Sequence, residues 1–224
     1  MRVETFFKKL KTKIKSNPKV FVIGFNKTGT TTIKRSLWEL GYSIGDQKEG
    51  EALIYDWRKG NYKPIFDHCK TSEAFQDIPF SLPDFYKFLM VEYPNAKFIL
   101  SVRDNPEQWY NSLCNFHTRM WGVGKQLPTK NQLMNANYLE KGFAYFYVKN
   151  AFKTLDSDLY NKDLLINSYK SHIANVKLMF SNQKDTFIEV NVANKCDYER
   201  LCFFLDKKPV RKDFLWENKT SILN

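Results

Sequence analysis

The chain has 224 residues, of which 43% are hydrophobic and 16% aromatic against 26% charged; this balance excludes a disordered, collagen-like or coiled-coil protein and supplies ample material for one core. No apolar run reaches the roughly 18 residues a membrane span requires, and the start MRVETFFKKLKTKIK has neither an unbroken apolar stretch nor a small-residue cleavage site, so a cytoplasmic location is expected. The formal net charge of +11 points to an anionic partner.

That charge is unevenly spread. Residues 1–19 carry Arg2, Lys8, Lys9, Lys11, Lys13, Lys15 and Lys19 against Glu4, a net +6 that leaves +5 for the other 205 residues. Val3, Phe6, Phe7, Leu10 and Ile14 recur there at helical spacing, which predicts a basic amphipathic helix over 1–19 ahead of one domain over 20–224. Docking on the domain with a solvated cationic face is its ordinary role, and peripheral contact with an anionic membrane is the alternative; the mildly basic body disfavours nucleic acid as a partner. Cys69, Cys114, Cys196 and Cys202 include no C-x-x-C pair, so neither a zinc site nor a disulfide framework is expected. Oligomeric state leaves no signature in the sequence.

Val20–Ile23 reads as a buried strand, Gly24 to Gly29 as a turn, and Thr30 as the start of a helix with Ile33, Leu37 and Leu40 on one face until Gly41. Residues 47–70 read as irregular helix, and Ala74–Ile78 as a short strand ending at Pro79. A helix from Pro83 carries Phe85, Phe88 and Leu89. The strand Lys97–Val102 leads through Arg103-Asp104-Asn105 into a helix from Pro106 that bears Trp109, Leu113 and Phe116. Residues 118–135, with Trp121, Gly122 and Gly124, read as an exposed loop able to act as a lid. Helical stretches over about 137–160 and 164–180, a strand Thr186–Val190 and a helix Tyr198–Leu205 complete the chain. Alternating strands and helices predict an α/β fold, with a central parallel sheet flanked by helices and ligands at the carboxyl ends of the strands.

The turn Gly24-Phe25-Asn26-Lys27-Thr28-Gly29-Thr30-Thr31-Thr32 lies where such a fold holds anions. Small residues let amides approach oxygens, the following helix contributes its positive end, and Lys27 adds a full charge. A nucleoside-triphosphate loop reads G-x-x-x-x-G-K-[ST]; here Gly24 and Gly29 keep that spacing, Thr30 replaces the lysine, and the lysine stands at 27. Arg103, not a carboxylate, directly follows the second apolar strand, so a kinase of atypical loop is the weaker enzymatic reading. A noncatalytic basic protein acting through residues 1–19 is the rival from another class.

Lys27-Thr28-Gly29-Thr30-Thr31 resembles the phosphosulfate loop K/R-[ST]-G-T-[TS] of sulfotransferases that use 3′-phosphoadenosine 5′-phosphosulfate (PAPS). The resemblance extends to Lys97–Asp104 with Pro106, Trp109 and Ser112, and to a closing part with Tyr169, His172, Leu201-Cys202-Phe203-Phe204-Leu205 and Phe214 to Asn218. It implies a P-loop-like domain that moves a sulfuryl group from PAPS to a hydroxyl or amine, with no metal required. Glycans, lipid-linked sugars and small phenols are all acceptors compatible with it. It further implies that Lys27 and Thr28, Gly29, Thr30, Thr31 and Thr32 hold the 5′-phosphosulfate, and that Arg103 and Ser112 hold the 3′-phosphate. Arg211-Lys212 faintly resembles a further basic 3′-phosphate element. Thr32 stands where cytosolic members often place an adenine-stacking tryptophan, which leaves the adenine platform unassigned.

Transfer to a hydroxyl also calls for a base. Asp77-Ile78-Pro79, 26 residues before Arg103, is similar to the His-x-Pro that serves as base in cytosolic sulfotransferases, which makes Asp77 the first candidate. Asp67, His68 and His172 are its rivals. His117 reads as a helix-terminus residue, and the aromatic run Phe143, Tyr145, Phe146, Tyr147 and Phe152 as core or as an acceptor-binding wall.

Overall fold

Val20–Val22 form strand β1, and all three side chains are fully buried, which demands partners at both edges and packing on both faces. The computed structural model describes residues 18–215 and fills both edges. Strands β2 (Ala74–Phe75) and β3 (Lys97–Ser101) flank β1, and β4 (Phe187–Val190) lies beyond β3, so the order is β2-β1-β3-β4 with every neighbour parallel. The predicted α/β architecture is the one observed. The basic N-terminal helix lies outside the described residues except at its last two positions, as do residues 216–218 of the closing segment.

The described helices are α1 (Thr30–Glu39), α2 (Gln47–Ala52), α3 (Ile54–Lys59), α4 (Lys63–Cys69), α5 (Phe85–Glu92), α6 (Pro106–Trp121), α7 (Lys130–Asn135), α8 (Phe143–Phe152), α9 (Lys162–Met179) and α10 (Asp197–Phe204). None of them is long and apolar enough to cross a membrane. Side chains alternate across the sheet as the pleat requires. Val20, Val22, Ile99 and Val190 pack with Ile33 and Leu37 of α1 and with Tyr198 and Leu201 of α10. Phe21, Ile23, Phe98 and Leu100 meet Phe85 and Leu89 of α5 and Val176 of α9 on the other face. A third apolar cluster joins Phe25 to Trp109 and Leu113 of α6, Phe143 and Tyr147 of α8, and Tyr169 of α9.

Three segments differ from the sequence reading. Ala74–Ile78 pairs for only two residues, because Asp77 takes φ 65° and leaves the extended conformation. The expected loop over 118–135 contains the last turn of α6 and all of α7, which opens on a Thr129–Gln132 capping box and buries Leu133. The expected helix over 137–160 is helical only over Phe143–Phe152, since Lys153 turns left-handed at φ 54° and residues 154–160 fold as loop.

Gly24, two residues after β1, lies against the end of β3: a Cβ there would lie 2.2 Å from the Ser101 carbonyl oxygen. Backbone cannot yield as a side chain does. Gly24→Ala is therefore expected to cost roughly 3 kcal/mol and about 10 °C in Tm. A thermal melt within 2 °C of the parent, on the order of the measurement spread, would contradict this packing.

Candidate active site

The turn after β1 is held open from three sides. The Thr28 hydroxyl donates to the Phe25 carbonyl and lies 2.5 Å from the Ser101 hydroxyl of β3. Trp109 Nε1–H donates to the Asn26 carbonyl at 3.1 Å, and Arg103 Nε–H to the Lys27 carbonyl at 2.6 Å. Arg103 is itself fixed, because its backbone N–H donates to the Tyr169 hydroxyl at 2.9 Å, and the Tyr169 ring stacks on Trp109. Pinned in this way, Lys27 adopts φ 69°, a left-handed conformation that few lysines take. Gly29 follows at φ 97°, where a Cβ would meet Val192 at 2.7 Å. Helix α1 then starts with no side-chain cap, so its first-turn amides stay available to an anion.

Lys27, Gly29, Thr30, Thr31, Asp77, Arg103 and Ser112 line one cleft at the carboxyl ends of β1, β2 and β3. Seven of the predicted site residues thus come together. Thr28 and Thr32 do not share that lining: the Thr28 hydroxyl is spent inside the turn, and Thr32 is buried. Of the threonines from Thr28 to Thr32, only Thr30 and Thr31 belong to the cleft lining. Arg211 lies elsewhere, its guanidinium paired with Glu39 at 2.5 Å.

The Lys27 ammonium rests 3.7 Å from the centroid of the Phe116 ring. Burial lowers its pKa to about 8; Asp77 opposes this shift, while Arg119 and Arg103 add to it. Burial likewise raises the Asp77 carboxyl, against a hydrogen bond from the Ile78 N–H at 3.1 Å and the attraction of Lys27. Asp77, too, is left-handed, at φ 65°, which turns its carboxyl out of the β2 ladder and into the cleft. The Arg103 guanidinium is partly buried in the same lining.

The rival bases are placed differently. Asp67 is held between Lys63 and Lys70, whose hydrogen bonds bring its pKa down to about 2, and it lies outside the cleft. The His68 ring is buried against Phe75 and Phe80. His172 stacks on Phe25 at 4.3 Å, with Nε2 2.8 Å from the Ile23 carbonyl, and burial lowers its pKa to about 4. These contacts make His172 a structural bridge between α9 and the end of β1.

Several lining residues escaped the sequence reading. Gln47 and Glu51 come from α2, in a charged stretch that reads as surface, and Tyr138 comes from the loop before α8. His117 is fully buried, its Nδ1 2.9 Å from the Tyr160 hydroxyl. The aromatic helix α8 serves as both core and wall: Phe143 and Tyr147 belong to the apolar cluster and to the lining.

The profile of the family described as a sulfotransferase domain matches residues 19–222. A search of curated proteins finds no match. With nearly its whole length matched, the chain belongs to the sulfotransferase domain family.

Proposed function

We propose that this protein transfers a sulfuryl group from PAPS to a hydroxyl or amine of a small molecule or glycan. One observation carries this reading: Lys27 after β1 and Arg103 after β3 share a cleft with the uncapped start of α1. That donor set suits a doubly phosphorylated adenosine. Amides and hydroxyls of Gly29, Thr30 and Thr31 offer short donors for a compact anion, and Arg103 with Ser112 offers a planar fork and a hydroxyl for a second one.

When bound, PAPS supplies a sulfuryl group activated by its bond to the 5′-phosphate. Lys27 neutralises the charge that develops on the bridging oxygen as the sulfur–oxygen bond to that phosphate breaks. Asp77, ionised, takes the acceptor's proton as the new bond to sulfur forms, so adenosine 3′,5′-bisphosphate leaves and the sulfated acceptor remains. Arg103 holds the Lys27 carbonyl and so fixes the turn, and its side chain lines the cleft. The segment 1–19 and its proposed contact with an anionic membrane play no part in these steps.

Calorimetric titration with 3′-phosphoadenosine 5′-phosphate, alongside ATP in the presence of a chelator, tests the reading. Tight binding of the bisphosphate alone is expected. Because Lys27 must be charged and its pKa is about 8, affinity is expected to hold below pH 7 and fall about tenfold between pH 7 and pH 9. Lys27→Met should bind weakly with a flat profile. Preference for ATP, or a parent profile as flat as that of the variant, would refute the assignment.

A further inference from the structure

Buried carboxylates with an unpaired oxygen are costly unless a ligand completes them, and this cleft holds one. Glu51 is 4% exposed. Its Oε1 accepts from Gln47 Nε2 at 2.8 Å, whereas Oε2 is buried with no hydrogen-bond partner among the described residues. Burial raises its pKa, as does the nearby charge of Asp77, while hydrogen bonding by Gln47 and Tyr138 and the charge of Lys34 oppose the shift. Two carboxyls thus line one cleft, and the charge of Asp77 disfavours the ionisation of Glu51.

The remaining lining there is aromatic. Trp121 and Tyr138 meet edge to face at 6.2 Å and 83°, and Tyr138 lies 5.6 Å from Phe143. Tyr138 also sits close enough to Glu51 for each to perturb the titration of the other. A further buried polar atom of the lining without a partner among the described residues is His117 Nε2, on a ring kept neutral by burial and by Lys27. The basic groups of the lining, Lys27 and Arg103, belong to the end assigned to the nucleotide, and Lys34, which donates to Gln47 Oε1 at 3.2 Å, acts on both carboxyls from outside the lining.

We propose that Glu51 anchors a positively charged amine of the acceptor, caged by Trp121, Tyr138 and Phe143, while the acceptor's hydroxyl is presented to Asp77. The inference rests on the sulfuryl-transfer reading and narrows its acceptor to an amine-bearing alcohol or phenol. A neutral sugar would fill the hydrogen bond at Glu51 but bring no charge to the carboxylate. An ammonium pairs with that charge and also gains from the ring faces. Glu51 would fix how far the acceptor enters, and Asp77 would meet the hydroxyl at the far end.

The test compares tyramine with 4-propylphenol, which matches it in size but carries methyl in place of ammonium, by calorimetry on protein saturated with 3′-phosphoadenosine 5′-phosphate. Tyramine is expected to bind at least about tenfold more tightly. Glu51→Gln, checked for folding by circular dichroism, should bring the ratio near one, and Trp121→Ala should reduce it severalfold. Equal binding of the two phenols, tighter binding of methyl glucoside than of tyramine, or a preference that survives in folded Glu51→Gln overturns the proposal. Discrimination by Glu51 in a protein that fails to bind the bisphosphate supports the cage and overturns the donor assignment instead.

Discussion

Lys27→Ala is expected to lower kcat about 10²- to 10³-fold, the usual loss when one charge-stabilising donor is removed from a transition state. The reason is local. Lys27 is the cation that the turn itself delivers into the cleft, and its ammonium lies on Phe116 with no carboxylate bonded to it among the described contacts. The same residue is held at φ 69°, and a left-handed backbone costs a side chain about 1 kcal/mol. Lys27→Gly should therefore be as inactive as the alanine variant yet more stable by about that amount. Arg103→Ala supplies the contrast, because its guanidinium serves nucleotide binding and should raise KM for the donor more than it lowers kcat. Parent-like turnover in both lysine variants, measured by transfer of radiolabelled sulfate, would remove the leaving-group role from Lys27.

Asp77→Asn is expected to reduce kcat about 10²- to 10⁴-fold, the range a positioned base supplies. Burial raises the pKa of the carboxyl, and a base must be ionised to accept a proton, so parent activity should fall as pH drops through that raised value. Its alkaline limb should follow Lys27, lost as pH rises through about 8. Asp77 supports the charge on Lys27, and removing it should shift nucleotide binding as well: the alkaline loss of affinity should begin at lower pH in Asp77→Asn than in the parent. A variant that keeps parent kcat, or whose binding profile does not move, would place the base elsewhere in the cleft.

The part of the cleft proposed for the donor is legible in the sequence because short-range signals create it. A β-branched run, a glycine, a lysine, a second glycine and a threonine cluster specify strand, turn and helix within 20 residues, and Arg103 ends an equally plain strand. The part proposed for the acceptor is built by tertiary packing. Glu51 stands among Lys48, Glu49 and Gly50, where a charged residue reads as surface, yet it is buried, on a helix that packs on the segment after β2, where Gln47 Oε1 accepts from Gln76 and Gly50 approaches the Ile78 carbonyl. His117 falls one residue after the aromatic that meets Lys27, and its burial depends on Tyr160, 43 residues away. Within residues 118–135, Thr129 and Gln132 carried a capping signal that could have revealed α7.

The strand order has a consequence for how such an enzyme diversifies. Asp77, Lys27 and Arg103 root just beyond β2, β1 and β3, three adjacent rungs spaced about 4.8 Å apart by the ladder of the sheet. The peptide frame, not side-chain adjustment, therefore sets the separation of the three residues. The segments bearing Glu51, Trp121 and Tyr138 attach outside that frame. On the proposed reading, substitutions there retarget the enzyme to new compounds while the interatomic spacing of the reaction stays constant.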